Sequence, residues 1–359
     1  MKVTIVGGGN IGTQFAVHCA EIGHEVTVFT SVPELFEKHL NIVDEKGITT
    51  HEGEIKCATA SPEMAFSDAE LIFVTIPAMV MQEFASTIYL YSKPSALICV
   101  VPGNGGSECA FRKCIERGNI FFGLERVPAI ARLVKKGETV KSIGYREELH
   151  VASIPAAKVQ CCCELIRAVF EIPTKAVPTF LNLTLTPSNP ILHTTRLRTV
   201  FGDYKPGRVY KSLPLFYEEW DDKSSKLLLA CDEEVQRICK ALPEYRLECV
   251  KSLREHYESQ TAEAMTKKIS SIAAFKGLTT PTVRVEGGLI PDLHSRYFTA
   301  DFSFGLTIIQ QVADMFDVAT PNIDATMQWY KEIAIEKSEF RFEEYGIKDR
   351  LSFAAFYLK

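Results

Sequence analysis

The stretch "VTIVGGGNIGTQF", residues 3–15, constrains the fold more than any other part of the chain. Four apolar or β-branched residues run straight into Gly7, Gly8 and Gly9, and a helical pattern begins at Asn10 and Ile11. Gly7, Gly9 and Gly12 stand in G-x-G-x-x-G spacing, and each has a distinct task. The first permits a tight turn, the second lets a phosphate approach the backbone, and the third lets the helix pack on the strand. Free N–H groups and the positive dipole end at the helix start then attract a pyrophosphate. A strand, a glycine loop and a helix in that order predict a parallel α/β sheet with a dinucleotide at its carboxyl edge.

The first half supports this by alternation. "KVTIVG", "HEVTVF", "AELIFVTIP" and "SALICVVPG" read as buried strands, separated by helical patterns such as "IGTQFAVHCAEIG" and "PAMVMQEFASTIYLY". Strand and helix in turn imply βαβ units and a sheet covered on both faces. "NIFFGL", "TVKSIGYR" and "LHVASIP" are expected to extend that sheet, with "AAKVQCCCELIRAVF" as a further helix. After about residue 178 helical patterns dominate: "DEEVQRICKALPEYRLECVKSLREHYE", "GLTIIQQVADMF" and "NIDATMQWYKEIAIE". The expected architecture is a mostly parallel, doubly wound Rossmann domain over residues 1–180 and a mainly α-helical domain over 181–359. Residues 201–222, rich in aromatics and interrupted by Pro206 and Pro214, read as an irregular excursion between helices.

Composition removes other classes. The formal net charge is −5 and no block of Lys or Arg occurs, which argues against nucleic acid or an anionic membrane as partner. No apolar run reaches the roughly 18 residues of a membrane span, and no signal-peptide core is present. Eleven cysteines include the adjacent trio Cys161, Cys162 and Cys163, but no C-x-x-C stands near a matching ligand pair. No metal is therefore expected, and a reducing cytoplasmic setting fits the free thiols.

The second strand ends at Thr30 and Ser31, where an acid would bind the ribose 2′-hydroxyl of NAD. Uncharged hydroxyls accept a 2′-phosphate that a carboxylate would repel, so the charge balance leans to NADP over NAD. The nearest basic groups, Lys38 and His39, are expected a helix away. The loops at Pro77 ("VTIPAM") and Gly103 ("VPGNGG") also follow strands and belong to the same carboxyl edge.

The second domain opens with "LTPSNPILHTTRL", residues 185–197. Asn189 is expected as N-cap and Pro190 as first helical residue, which puts His193 about one turn in. Leu197, Val200 and Phe201 follow at i+4, i+7 and i+8, so the imidazole shares the apolar stripe. The positive end of the helix dipole suits a base that is neutral before it accepts a proton. A partner is available in "HSRYFTADFSFGL", where Arg296 and Asp301 lie among aromatics. Arg296 offers a fork for a carboxylate and Asp301 a group to orient His193. The plainer readings are a packed core histidine, Asp301 as a helix cap and Arg296 in an ordinary ion pair.

Taken together these segments resemble the opine dehydrogenases, the octopine/nopaline dehydrogenase group, over essentially the whole chain. The resemblance rests on the glycine fingerprint, "VPGNGG", "LERVPAIAR", "NPILH", "RYFTADFSFGL" and "VATPNIDATMQWY". It implies a Rossmann domain and a helical domain with the active site between them. It also implies NAD(P)H-dependent reductive condensation of a 2-oxo acid with the amino group of an amino acid, an oxidoreduction at CH–NH. His193 then matches the acid/base, Asp301 its partner and Arg296 the nearby arginine; Asn104 is a further expected substrate contact, and Arg126 is either a second positive group for an acidic substrate or half of a surface ion pair. "RVPAIAR" replaces the family's T-L-P-x-A-C-R type segment at Arg126 and Ala131. "TADFSFGL" replaces E-D-V-P-x-G-L, with Ala300 for Glu and Ser303 for Pro.

Two other functions are weighed. A ketopantoate-like 2-oxo acid reductase relies on a lysine followed four residues later by asparagine, and no lysine here has one. A non-catalytic NADP-binding sensor would keep the fold without turnover. The expected partners are small molecules, with a homodimer as an open assembly.

Overall fold

The computed structural model describes residues 1–334 and 339–358. The chain divides into two compact units, Met1–Thr184 with Ala355–Lys359, and Leu185–Ala354.

Unit 1 is α/β. Its strands are β1 (Lys2–Val6), β2 (Glu25–Phe29), β3 (His39–Val43), β4 (Thr49–Glu54), β5 (Cys57–Thr59), β6 (Leu71–Val74), β7 (Leu97–Val100), β8 (Phe121–Leu124), β9 (Ile130–Lys135), β10 (Thr139–Ile143), β11 (Leu149–Ile154) and β12 (Thr174–Ala176). Its helices are α1 (Asn10–Glu21), α2 (Pro62–Phe66), α3 (Met81–Tyr91), α4 (Ser107–Ala110), α5 (Arg112–Arg117), α6 (Val159–Phe170) and α7 (Leu181–Thr184). Eight strands form the main sheet in the order β12-β11-β8-β7-β6-β1-β2-β5. All pairings are parallel except β11 against β8. β1 lies between β2 and β6, so the chain reverses its direction of travel there, and the glycine loop leaves the sheet at that switch point. Val3 to Val6 are all buried, as a central strand covered on both faces requires. Phe15 of α1 seals one face, with its ring edge-on to Phe73 and Phe170.

A second sheet, β4-β3-β10-β9, was not foreseen. "TVKSI" of β10 does not extend the main sheet. It pairs antiparallel with β9 through a short turn and parallel with β3. The turn residue Gly137 has φ +74°, and a Cβ there would meet the carbonyl of Leu35 at 2.0 Å. The hairpin is thereby docked on the segment that follows β2. β4, "TTHEGE", is polar and largely exposed, so it carries no apolar alternation to announce it. Lys38 and His39 are also nearer to β2 than expected: a single 3-10 turn, Pro33–Leu35, replaces the anticipated helix, and His39 opens β3.

Unit 2 is mainly helical, with α8 (Ser188–Phe201), α9 (Asp222–Ala241), α10 (Leu253–His256), α11 (Ala262–Ser271), α12 (Arg296–Thr299), α13 (Thr307–Met315), α14 (Pro321–Ile333) and α15 (Arg350–Tyr357). A hairpin of β13 (Thr282–Val285) and β14 (Gly288–Pro291) is its one sheet among the described residues. The long pattern at 232–258 is not one helix. α9 begins ten residues earlier, where Asp221 accepts the N–H of Ser224 at 2.8 Å, and it ends before Pro243. The tail of the last pattern, Ile335 and Glu336, lies outside the described residues.

α8 starts before the expected cap. Pro187 already has helical angles and its carbonyl accepts the N–H of Ile191 at 2.9 Å, which places Asn189 inside the helix. Pro190 still lies among the first N–H positions that need no intrahelical acceptor. His193 is the sixth helical residue, in the second turn, where the dipole's pull has declined. The helix is buried on every side from Pro190 to Leu197 rather than along one stripe, and Val200 is only half-buried.

The second domain does not run to the C-terminus. Residues from Ala355 belong to unit 1, where the Tyr357 hydroxyl donates to Glu108 Oε1 at 2.5 Å. Thr184 Oγ1 donates to the same atom at 2.6 Å.

Candidate active site

In unit 2 the histidine is met by an acid. His193 Nδ1 lies 2.7 Å from Asp301 Oδ2, and His193 Nε2 lies 2.7 Å from the Tyr217 hydroxyl. The carboxylate only accepts, so Nδ1 carries the proton, and in the neutral ring Nε2 accepts from Tyr217. The His193 side chain is 4% exposed and that of Asp301 15%, so the pair is shielded on the histidine side.

Local structure explains the approach. Asp301 opens a π-helical turn, Asp301–Leu306, of the kind that recurs at functional sites. Gly305, four residues on, presses against α8: a Cβ there would meet Pro190 Cγ at 2.9 Å. Pro190 is three residues before His193, so this close contact sets the separation of the two side chains. Ser303 is buried with its hydroxyl 3.1 Å from that of Tyr330, and its carbonyl accepts the N–H of Phe340.

Arg296 is exposed on α12, five residues before Asp301. Its guanidinium lies over the Tyr297 ring at 5.4 Å, and that ring stands edge-on to His193 at 4.5 Å. Of the three predicted residues the structure joins His193 and Asp301 directly, and Arg296 to them only through the Tyr297 ring.

Tyr217 was not singled out from sequence. The only signal was the density of aromatics in the excursion 201–222. Arg196, one turn beyond His193 and itself buried, holds this loop. Its Nε donates to the Phe216 carbonyl at 2.9 Å, Nη2 to the carbonyl of Glu219 at 2.6 Å, and Nη1 to Ser224 Oγ at 3.0 Å. Tyr217 then stacks on Phe275 at 4.2 Å. Burial pushes its phenol up, so it remains a hydroxyl donor at neutral pH.

The second constellation is a cavity of about 700 Å³ in unit 1, lined by Gly7, Gly8, Gly9, Thr30 and Ser31 among others. Gly7 has φ +99°, and a Cβ on Gly12 would meet the Gly7 carbonyl at 1.7 Å, so the turn closes only with glycine at both. Gly9 has nothing within 4 Å of such a Cβ, which leaves the backbone open to a phosphate. Thr75 Oγ1 donates to the Val6 carbonyl at 2.8 Å and steadies the end of β1. Lys136, from the docked β9–β10 turn, also lines the cavity, and sequence reading had passed over it.

The remaining predicted residues are placed otherwise. Asn10 Oδ1 accepts the Leu133 N–H at 2.7 Å, and Ile11 packs against the core. Pro77 starts the 3-10 turn before α3 and does not line the cavity, although its neighbour Ile76 does. Gly103 is packed where a Cβ would meet Leu183 and Gly123, and Asn104 is half-buried beside it. Arg126 pairs with Glu125 at 3.4 Å, the ion-pair reading of that residue. Glu125 also holds His150 Nδ1 at 2.7 Å, and these neighbours keep its carboxyl below the usual range.

The family described as NAD/NADP octopine/nopaline dehydrogenase, alpha-helical domain, matches residues 176–334. The NAD-dependent glycerol-3-phosphate dehydrogenase N-terminus matches residues 2–104. Octopine dehydrogenase of Pecten maximus is 27% identical over 360 residues, covering 92% of this chain and 90% of that protein. A solved octopine dehydrogenase with NADH and L-arginine superposes with TM-score 0.85 at 24% identity, covering 100% of this chain and 98% of the other. Yersinopine dehydrogenase with NADP+ bound gives 0.67 at 11% identity, covering 99% and 97%.

Proposed function

We propose that this chain, similar to the octopine/nopaline dehydrogenases in its helical domain and to octopine dehydrogenase over most of its length, condenses a 2-oxo acid with the amino group of an amino acid and reduces the product, with His193 as acid/base. The observation that carries the reading is the buried chain Asp301–His193–Tyr217, with both imidazole nitrogens engaged at 2.7 Å.

The chemistry asks for a group that moves protons in both directions. The amino acid's ammonium must lose a proton before its nitrogen attacks the oxo carbon. After the C–N bond forms, the hydroxyl on that carbon must leave as water, which takes a proton. His193 accepts the first and returns the second, at Nε2, while Asp301 holds Nδ1–H and balances the imidazolium. Tyr217 lies on Nε2 and extends the proton path by one hydroxyl. Arg296 binds a substrate carboxylate and orients the carbon. The bound dinucleotide supplies the hydride that reduces the resulting imine.

For the cofactor we favour NADPH. No carboxylate closes the end of β2, where Thr30 and Ser31 line the cavity, and Lys136 adds a cation from the neighbouring turn. The acid that also lines the cavity, Glu83, comes from α3 rather than from the β2 edge.

The test is oxidation of NADPH and NADH with pyruvate, glyoxylate or ketopantoate, each with and without a panel of amino acids. Turnover that requires both an oxo acid and an amine is expected. Turnover with an oxo acid alone would make the protein a 2-oxo acid reductase, and dinucleotide binding without turnover in any pair would make it a sensor.

A further inference from the structure

The C-terminal end of α1, opposite the glycine loop on the same helix, carries a cluster the reaction does not use. His18 and Glu21 are three residues apart and share a face. Gly53 of β4 lies so close that a Cβ on it would meet Ala20 Cβ at 2.7 Å and Glu21 N at 2.9 Å. His51, two residues earlier and on the same side of the strand, is thereby drawn over the helix end. Its ring centroid is 4.6 Å from that of His18, and its Nδ1 is 2.8 Å from Glu21 Oε2. One ligand atom from each of the three residues lies within 4.8 Å of the others. Tyr145 closes the group, with its hydroxyl 3.0 Å from His18 Nε2, and a concavity of about 510 Å³ opens beside it.

We propose that His18, His51 and Glu21 form a binding site for a divalent transition-metal ion of the Zn2+ type. Two imidazoles and a carboxylate are a zinc-like donor set, and side-chain rotation would have to bring the three ligand atoms, now within 4.8 Å of one another, to bonds of about 2.0–2.2 Å. Mg2+ and Ca2+ prefer all-oxygen sites and fit poorly. The concavity leaves the fourth position to water or to the Tyr145 hydroxyl. The negative end of the α1 dipole favours a cation at this spot. No pair of ligands at close spacing announces this site in the sequence, because the third ligand arrives thirty residues after Glu21, through the polar, largely exposed strand β4.

Bound metal would tie the last turn of α1 to the β3–β4 hairpin and stabilise unit 1 by linkage. The proposal does not rest on the proposed reaction. Untagged full-length protein, stripped with a chelator, is titrated with Co2+ by visible absorption and with Zn2+ by calorimetry. One ion per chain, an intense four-coordinate Co2+ spectrum and a thermal midpoint raised by Zn2+ are expected. His51→Gln and Glu21→Gln alter side chains about one-third exposed. Each should weaken binding by at least about tenfold, the loss that even an outer partner of a metal ligand produces. Absence of saturable binding overturns the site. So does binding in both variants as strong as in the wild type, as thiols elsewhere would give.

Discussion

Two histidines in this protein are buried, each beside a tyrosine hydroxyl and near a carboxylate, and they are wired differently. In unit 2 the carboxylate of Asp301 reaches the buried His193 itself, and Tyr217 takes the other nitrogen. In unit 1 the carboxylate of Glu21 binds the outer His51, and the buried His18 meets only the Tyr145 hydroxyl on its Nε2. The same residue types are therefore arranged in two different ways. A carboxylate on the buried ring supports an imidazolium and suits proton transfer, whereas a buried ring without one stays neutral and offers a lone pair.

The comparison breaks most sharply at His193. His193→Ala should lower turnover by about two to four decades while dinucleotide binding, read by fluorescence titration, stays unchanged. Near-normal turnover would remove His193 from the reaction. Asp301→Asn keeps the shape and removes the charge, so a fall on the order of a hundredfold is expected, with a displaced limb in the pH–rate profile. A loss of activity with an unmoved profile would reduce Asp301 to a packing role.

His18 tests the other side. Because its folded value is about 3, the metal-free folded protein cannot take up the proton that the unfolded chain binds below about 6.5. Stability is full above that range and declines as pH falls toward 3, by on the order of 3 kcal/mol at ~pH 4. Urea melts of wild type and His18→Gln, compared across this range, should differ in slope, and parallel curves would contradict the burial argument.

Smaller effects sharpen the picture. Tyr217→Phe removes one hydrogen bond from Nε2 and should cost about tenfold in turnover. An unchanged rate would exclude the hydroxyl from the proton path. Lys136→Ala should raise KM for NADPH by several-fold to about tenfold and leave NADH alone, since only a 2′-phosphate offers Lys136 a charge. Equal effects on both dinucleotides would remove Lys136 as the source of preference.

Much of this was readable along the chain. The glycine loop announced its own geometry, because tight turn, close backbone approach and helix start all arise within a dozen consecutive residues. His193, Arg296 and Asp301 were recognisable as a set through their motifs. The helix start at Asn189 was misread because Pro187 is already helical, a backbone state that residue type alone does not dictate. β4 was missed because an exposed strand shows no apolar alternation, and with it the approach of His51 to α1.

The sequence by itself determined the strand–helix alternation at the centre of the main sheet of unit 1, the helical character of unit 2, and the residue types able to do acid/base work. Those are consequences of local periodicity and of glycine placement. Only the tertiary structure decided which carboxylate meets which histidine. That pairing turns on two close packings between distant segments, Gly305 on Pro190 and Gly53 on Ala20, where the absence of a Cβ fixes the distance. Short-range sequence pattern carries no record of such contacts, because they are set by the fit of one surface against another.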